Sequence, residues 1–167
     1  MSRFGRRPLV TAVALLACAL LGYELLPRDE TRITALLRDL CARMNQTKDE
    51  ESLAALRQFL ALALLPQVSV HAPELEQDLQ GKDEVAARAH ALLEGAPLSF
   101  TLNSLEVKVS GPLARAEAEL LVAVRGGGEQ RREVRHTRVR LAKHEAGWQI
   151  EAVEVDPIAP SEPEARP

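Results

Sequence analysis

The chain has 167 residues, of which 46% are hydrophobic and 27% are charged, and its formal net charge is −3. This length and apolar content suit one globular domain with a short extension, and they exclude an intrinsically disordered chain. Aromatic residues make up only 3% of the sequence. Recognition of RNA or single-stranded DNA by base stacking needs several exposed rings, so the composition argues against that class of protein.

The N-terminal segment predicts a membrane anchor. Residues 1–7 form a short basic tail that contains Arg3, Arg6 and Arg7, and residues 8–26 follow as an almost uninterrupted apolar run. As a helix, about 19 residues span roughly 28 Å, which matches the hydrocarbon thickness of a bilayer. Because basic residues remain on the cytoplasmic side, we predict a single-pass protein of the bacterial inner membrane whose domain faces the periplasm.

Two other interpretations of this segment stay open. A lipoprotein signal would attach lipid to Cys18, which follows a short leucine and alanine stretch. A cleaved secretory signal would end at the small residues Ala17-Cys18-Ala19. All three interpretations agree that the rest of the chain is exported.

The exported part of the chain is acidic. Three of the 21 Lys and Arg residues lie in the basic tail, which leaves 18 against 24 Asp and Glu residues, a formal charge of −6. Duplex DNA requires clustered cations, so no nucleic-acid partner is predicted. Cys18 and Cys41 lie in different parts of the chain, and no paired metal-ligand spacing occurs. Neither a disulfide, a metal nor a cofactor is therefore predicted.

Three helices are predicted in the first half of the domain. Apolar residues recur at helical spacing from Ile33 to Met44, which indicates an amphipathic helix. A second helix is predicted to begin with a capping box formed by Thr47 and Glu50 and to continue to Pro66. A short strand over residues 68–71 then precedes a third helix, which is predicted to begin after a glycine and to end at another.

From Pro97 onward the apolar residues alternate, which predicts β-strands. A phase slip at Asn103-Ser104 predicts a β-bulge, and a glycine triplet over residues 126–128 predicts a hairpin. The cross-strand pairs predicted for this hairpin are Ala114 with Leu141, Ala116 with Val139, Ala118 with Thr137, Glu117 with Arg138, Glu119 with His136, and Leu121 with Val134. Residues 157–167 are rich in proline and polar residues and are predicted to be disordered.

The order of these elements resembles the nuclear transport factor 2-like superfamily, which includes the SnoaL-like polyketide cyclases. The matching motifs are the long strand pair, Gly81-Lys82-Asp83-Glu84-Val85 at the third helix and Gly147-Trp148-Gln149-Ile150 in the last strand. The likeness runs from about Arg32 to Asp156, within a domain that we place at residues 29–156. It implies an α+β fold in which three helices pack on a bent antiparallel sheet, forming a cone with a pocket at its wide end.

The resemblance favours a binding domain over an enzyme. Proton-shifting enzymes of the superfamily place Asp, His or Tyr inside the cone, whereas the middle strands here direct alanine, leucine and valine inward. We therefore predict a membrane-tethered, noncatalytic domain that binds a small ligand or a protein partner and self-associates through its sheet. The candidate ligand-binding residues are Glu133, Arg135, Thr137 and Trp148.

An isomerase or cyclase-type enzyme is the alternative. His71 would act as the general base, with Arg135 or Glu133 assisting. Against this, the favoured explanation of His71 is a half-exposed residue at a strand end, and that of Glu133, Arg135 and Thr137 is solvated side chains beyond the core. A cleaved periplasmic carrier for an apolar molecule is a third alternative.

A basic stripe lies between Arg125 and Lys143, within an otherwise acidic domain. Two interpretations are open. The stripe contacts anionic headgroups or an acidic partner, or its cations pair across strands with Glu106, Glu117 and Glu119.

Overall fold

A computed structural model describes residues 28–47, 49–73, 78–95, 98–124 and 131–157. The predicted basic tail, the membrane anchor, the glycine triplet and nearly all of the C-terminal tail lie outside these residues. Within the described part of the chain, no helix is both long and apolar enough to cross a membrane.

Three helices precede or interrupt the strands: α1 (Asp29–Gln46), α2 (Glu50–Ala63) and α3 (Lys82–Gly95). The first two helices are amphipathic, as their apolar patterns predict. The buried residues of α1 are Ile33 and Leu37. Buried residues of α2 face the same core. All three helices predicted from periodicity are present.

The cap of α2 differs from the prediction. Asp49 is the capping residue: its carboxylate accepts a hydrogen bond from the Ser52 backbone N–H at 2.8 Å, and the Ser52 hydroxyl oxygen accepts one from the Asp49 N–H at 3.2 Å. The Thr47 hydroxyl instead donates to the Met44 carbonyl at 2.8 Å, at the end of α1. The predicted Thr47 and Glu50 box is therefore wrong, because Thr47 serves the preceding helix.

The end of α2 also differs from the prediction. The helix ends at Ala63, and Leu64 already has extended backbone angles. A proline disfavours helical geometry in the residue before it, so Pro66 ends the helix earlier than its apolar pattern suggests. Strand β1 (Leu64–His71) consequently begins four residues before the predicted strand.

The remaining strands are β2 (Leu79–Gln80), β3 (Leu98–Ser110), β4 (Leu113–Val124), β5 (Arg131–His144) and β6 (Gly147–Val155). They form one sheet in the order β2-β1-β6-β5-β4-β3. Strand β1 pairs with β6 in parallel, whereas the other neighbours are antiparallel. The sheet is therefore mixed, and the expectation of a wholly antiparallel sheet is wrong at this one pairing. Strand β2 was not predicted, since two residues carry no periodic pattern.

The predicted register of the β4–β5 hairpin is confirmed at all six pairs. The predicted bulge is also present, as a register shift between Leu102 and Ser104 of β3. A second shift lies between β5 and β6, where Leu141 pairs with Ile150 and Arg140 with Ala152. Both shifts change which residues of a strand face the core.

The core lies between the helices and one face of the sheet, which we call the inner face. Ile33 of α1 and Leu60 of α2 pack in a buried cluster with Leu141 and Ile150. Small side chains on β4 contribute to the same cluster: Ala114 and Ala116. The opposite, outer face carries most of the charged side chains of β3–β6.

Candidate functional site

Three polar side chains share the inner face of β5 near the hairpin tip. Glu133, Arg135 and Thr137 occupy alternate positions, so the pleat directs them to the same side. The Arg135 side chain is only 14% exposed, and its Nη2 donates a hydrogen bond to Glu133 Oε2 at 3.0 Å. The arginine is therefore not a solvated hairpin-tip residue. We call these three residues the inner-face cluster.

The Thr137 hydroxyl is the most deeply placed group of the cluster. Thr137 is 5% exposed, and its Oγ1 has no hydrogen-bond partner among the described residues. Its cross-strand neighbours are Ala118 and Val155. Leaving a buried polar group unsatisfied costs about 1–3 kcal/mol, so this hydroxyl would be stabilised by an added hydrogen-bond partner.

Apolar side chains surround the cluster. Leu120 lies opposite Arg135, and Val122 lies opposite Glu133. An arginine held among aliphatic groups interacts more strongly with an anion than a solvated arginine does, because the local dielectric is low. The cluster thus combines one charged hydrogen-bond donor, one carboxylate and one hydroxyl with an apolar surround.

Trp148 does not join the cluster. Thr137 pairs with Val155, and Trp148 lies seven residues earlier on β6, about 23 Å away at 3.3 Å per residue. Its indole Nε1 donates to Asp29 Oδ1 at 3.0 Å, and Lys143 Nζ donates to the same carboxylate at 2.9 Å. This sequence-predicted binding residue instead fixes the beginning of α1 to the sheet.

The hydrogen bond from Lys143, together with that from Trp148, lowers the pKa of Asp29. A carboxyl group whose pKa is lowered by folding stabilises the native state above its ordinary pKa. That stabilisation is lost as the pH falls through the lowered value. The attachment of α1 is therefore expected to weaken in acid.

His71 lies on the outer face, at the end of β1. Its register partner is Glu154, and Glu154 pairs in turn with Arg138, which places His71 in the outer-face rows. The His71 side chain is 58% exposed, and its Nδ1 lies 2.5 Å from Asp78 Oδ1. Arg135 and Glu133 project from the opposite, inner face. The structure therefore does not bring His71 together with either of the residues that would assist it in an isomerase or cyclase.

We expect Asp78→Asn to lower the pKa of His71 toward about 6.5, the ordinary histidine value. The hydrogen bond with Asp78 raises the pKa of His71, and the charges of Asp78 and Glu154 add to that effect. The pair therefore stabilises the fold below the ordinary histidine pKa, and this contribution is lost as the pH rises through the raised value. An NMR titration of the His71 ring measures the shift.

Asp83→Asn is the control for this titration, since Asp83 lies on α3 and is not among the groups that shift the pKa of His71. It should leave the His71 curve unchanged. Superimposable curves for the native chain and Asp78→Asn would contradict the assignment.

The outer face carries a groove of about 490 Å³ between β3, β4 and β5. Arg138 lies directly opposite Glu117, as predicted. Its guanidinium, however, contacts Glu154 at 3.2 Å and Asp156 at 2.6 Å. The acidic partners of this arginine thus come from β6 and the residue after it, and alternation on the hairpin alone does not reveal them.

The described residues contain no group of three or more His, Cys, Asp or Glu side chains arranged to hold a metal ion. Cys41 is half-buried on α1, and burial raises the pKa of its thiol. A raised pKa reduces the thiolate fraction, so Cys41 is a packing residue here.

Comparisons with known proteins identify the fold. An NTF2-like protein with a cystatin-like fold from Novosphingobium aromaticivorans has a TM-score of 0.62 and is 17% identical, with 92% of this chain and 90% of that chain covered. A candidate dehydratase of the NTF2-like family from Streptomyces avermitilis has a TM-score of 0.66 and is 16% identical, covering 78% and 96%. An uncharacterised cystatin-like protein from Caulobacter vibrioides has a TM-score of 0.62 and is 17% identical, covering 77% and 88%.

No protein-family profile and no curated protein sequence matches the chain. At the identities of the structural neighbours, the likeness establishes the fold alone. The chain has an α+β, NTF2-like fold with three helices on a mixed sheet. The resemblance drawn from the sequence motifs is confirmed at that level.

Proposed function

We propose that the chain is an exported, membrane-tethered and noncatalytic binding domain, and that its inner-face cluster takes an apolar molecule bearing a carboxylate. The observation that carries the proposal is the burial of the Arg135 side chain, which lies opposite Leu120 on β4 and pairs with Glu133. A guanidinium matches a carboxylate in shape and charge. The aliphatic residues around it suit a hydrocarbon body.

The unsatisfied Thr137 hydroxyl supports the same proposal. It lies two positions along β5 from Arg135, about 7 Å at the strand rise, and it faces the same side. A ligand bound by Arg135 would bring an acceptor toward this hydroxyl and remove its desolvation cost. Selectivity would then come from two polar contacts, and affinity from apolar burial.

Octanoate is the probe that tests this binding. We expect it to raise the melting temperature of the native chain and to stabilise it by about 2.7 kcal/mol at 100 times its dissociation constant. Octanol has the same hydrocarbon chain without the charge and should give a much smaller shift. The Arg135→Gln variant should lose the difference between the two ligands. Equal shifts for octanoate and octanol in the native chain would contradict the proposal.

Thr137→Val separates the stability of the fold from binding. Valine has a similar shape and removes the unpartnered hydroxyl, so we expect the ligand-free protein to gain up to about 1–3 kcal/mol of stability. The same variant should bind octanoate more weakly than the native chain does. Urea unfolding with and without octanoate measures both effects. A destabilised variant with unchanged binding would exclude this role for Thr137.

The membrane tether is part of this proposal. It is supported by the apolar run of residues 8–26, which ends shortly before α1 begins at Asp29. The intact mass of the membrane-extracted protein decides among the three interpretations. Full length indicates an uncleaved anchor, a lipid adduct on Cys18 indicates a lipoprotein, and loss of the apolar run indicates cleavage.

Self-association through the sheet is a further part of the proposal. Val134 is an exposed apolar residue of β5, and Leu121 lies directly opposite it on β4. These two side chains supply an apolar centre within a charged outer face. Sedimentation of the native chain and of Val134→Glu should show a larger species only for the native chain.

A further inference from the structure

One end of the domain adjoins the predicted membrane anchor. We call it the proximal end, and it contains the β3–β4 turn at Gly111-Pro112 and the β5–β6 turn at Glu145-Ala146. The Lys143 backbone N–H donates to the Pro112 carbonyl at 2.8 Å, which joins the two turns. The bonds from Lys143 and Trp148 to Asp29 attach the beginning of α1 at the same end.

The length of chain before α1 restricts how far this end can lie from a bilayer. Three peptide steps separate Leu26, the last residue of the apolar run, from Asp29. Fully extended, they reach about 11 Å. The polar region of a bilayer is about 5–8 Å thick on each side. If residues 8–26 span the membrane, the proximal end must therefore lie at or just outside the headgroups.

Two leucines are exposed at the proximal end. Leu62, near the end of α2, is 75% exposed, and Leu113, at the beginning of β4, is 54% exposed. Both belong to this end of the sheet: Gln149 Nε2 donates to the Leu62 carbonyl at 2.8 Å, and Gln149 and Leu113 lie on either side of Ala142 of β5. Exposed apolar side chains beside cations are typical of surfaces that contact the bilayer interface.

Three cations form a row across the outer face, three residues from the β3–β4 turn and five from the β5–β6 turn. Lys108 of β3 lies opposite Arg115 of β4, and Arg115 lies opposite Arg140 of β5. Like charges placed directly across a strand pair repel each other. The arginines also line a cavity of about 340 Å³ that includes Leu113. The row therefore concentrates positive charge beside an open cavity.

Acidic groups accompany the cations at this end, and several of them are already paired. Glu151 lies 3.9 Å from Arg140, and Glu106 lies 2.9 Å from Lys108. Asp29 is already bonded to Lys143. The other acidic residues at this end are exposed: Glu30, Glu117 and Glu145. Against them stand the cation row, Lys143, and two exposed arginines at the beginning of α1, Arg28 and Arg32.

We propose that the proximal end of the domain lies flat against an anionic phospholipid bilayer, with Arg115 and Arg140 binding lipid phosphates and Leu62 and Leu113 entering the interface. This inference rests on the membrane tether of the proposed function. It adds an orientation and a lipid class. It also assigns a role to Lys108, Arg115 and Arg140, which face one another across β3, β4 and β5. Cross-strand ion pairing does not explain such a row, because it would place opposite charges at these positions.

The full-length chain in liposomes tests this orientation, because Trp148 is the single tryptophan and lies at the proximal end. A nitroxide on the phospholipid headgroup should quench Trp148 more strongly in phosphatidylcholine mixed with phosphatidylglycerol than in phosphatidylcholine alone. Added salt should weaken the effect. Each cation near an anionic surface contributes about 1 kcal/mol. In the double variant Arg115→Gln/Arg140→Gln, the ratio of domains whose proximal end contacts the bilayer to domains whose proximal end does not should therefore fall roughly thirtyfold.

Two matched variants separate charge from folding. Arg115→Lys/Arg140→Lys keeps both charges and should behave as the native chain does. Arg38→Gln/Arg88→Gln removes two exposed charges from α1 and α3 and should also leave quenching unchanged. Quenching that is independent of phosphatidylglycerol, or equal in Arg115→Gln/Arg140→Gln and the native chain, would overturn the inference.

Flotation of the same liposomes tests whether the chain is tethered to the membrane, independently of the orientation that quenching measures. Flotation with pure phosphatidylcholine is expected from residues 8–26 and supports the tether whatever the quenching shows. Failure to float with that lipid would overturn the tether and, with it, the orientation inferred here.

Discussion

Replacing Leu141 with alanine should lower the free energy of unfolding by about 2–5 kcal/mol. Leu141 is 1% exposed and lies at the centre of the inner face, between Ala114 on β4 and Ile150 on β6. Its neighbours across β4 are alanines, which are too small to fill the space that the leucine vacates. The cavity therefore adds to the lost hydrophobic transfer free energy, so the upper half of this range is expected.

Urea unfolding followed by the fluorescence of Trp148 measures this loss as a lower midpoint with an unchanged slope. Leu92→Ala is the matched control, because Leu92 is exposed on α3 and its truncation should change stability by less than about 0.5 kcal/mol. Equal midpoint shifts in the two variants would show that Leu141 is not a core residue.

The second large effect is expected at the edge of the sheet. Asn45 of α1 donates through Nδ2 to the Phe100 carbonyl at 2.7 Å and accepts through Oδ1 from the Phe100 N–H at 2.7 Å. Strand β3 is an edge strand, and this side chain occupies a backbone position that a further strand would otherwise use. Asn45→Ala removes both bonds and should cost about 1–3 kcal/mol, at about 0.5–1.5 kcal/mol for each.

Asn103→Ala is the control for the edge contact. Asn103 is an exposed residue of the same strand, and its amide donates to the half-buried Glu119 carboxylate at 3.0 Å. Its loss should change stability by less than about 0.5 kcal/mol. Sedimentation adds a second measurement, because an uncovered edge is expected to promote association of Asn45→Ala alone. Equal stability of Asn45→Ala and the native chain would contradict the role of Asn45.

The register of the β4–β5 hairpin was predictable because successive side chains of a strand point to opposite faces of the sheet, so the apolar set can face only one side or the other. A one-residue slip of β5 in either direction would place Arg138 and Arg140 opposite two of the three inward alanines of β4, so charge and burial together exclude that register. The bulge at Asn103-Ser104 was predictable for the same reason, as a break in alternation that one extra residue repairs. These are local patterns, and each is complete within one strand pair.

For the inner-face cluster, the face of the sheet was predictable from the sequence, whereas the residues that its side chains contact were not. Inward parity on β5 correctly places Glu133, Arg135 and Thr137 on the inner face. It does not separate a buried arginine from a solvated one, since that depends on how far the helices and neighbouring strands cover the hairpin. The pairing of His71 with Asp78 joins residues on either side of a connection, and no periodic signal marks it.

The sequence by itself determined the composition of each face, the helix and strand order, the hairpin register and the parity of the inner-face cluster, because these depend on neighbours close along the chain. Tertiary structure alone decided the parallel β1–β6 pairing, the separation of His71 from Arg135 by the sheet, and the bond of Trp148 to Asp29, 119 residues away. It also decided that the cations of β3, β4 and β5 lie in one row on the outer face. Such contacts join distant segments, and their free energy depends on how whole elements pack, which no local pattern encodes.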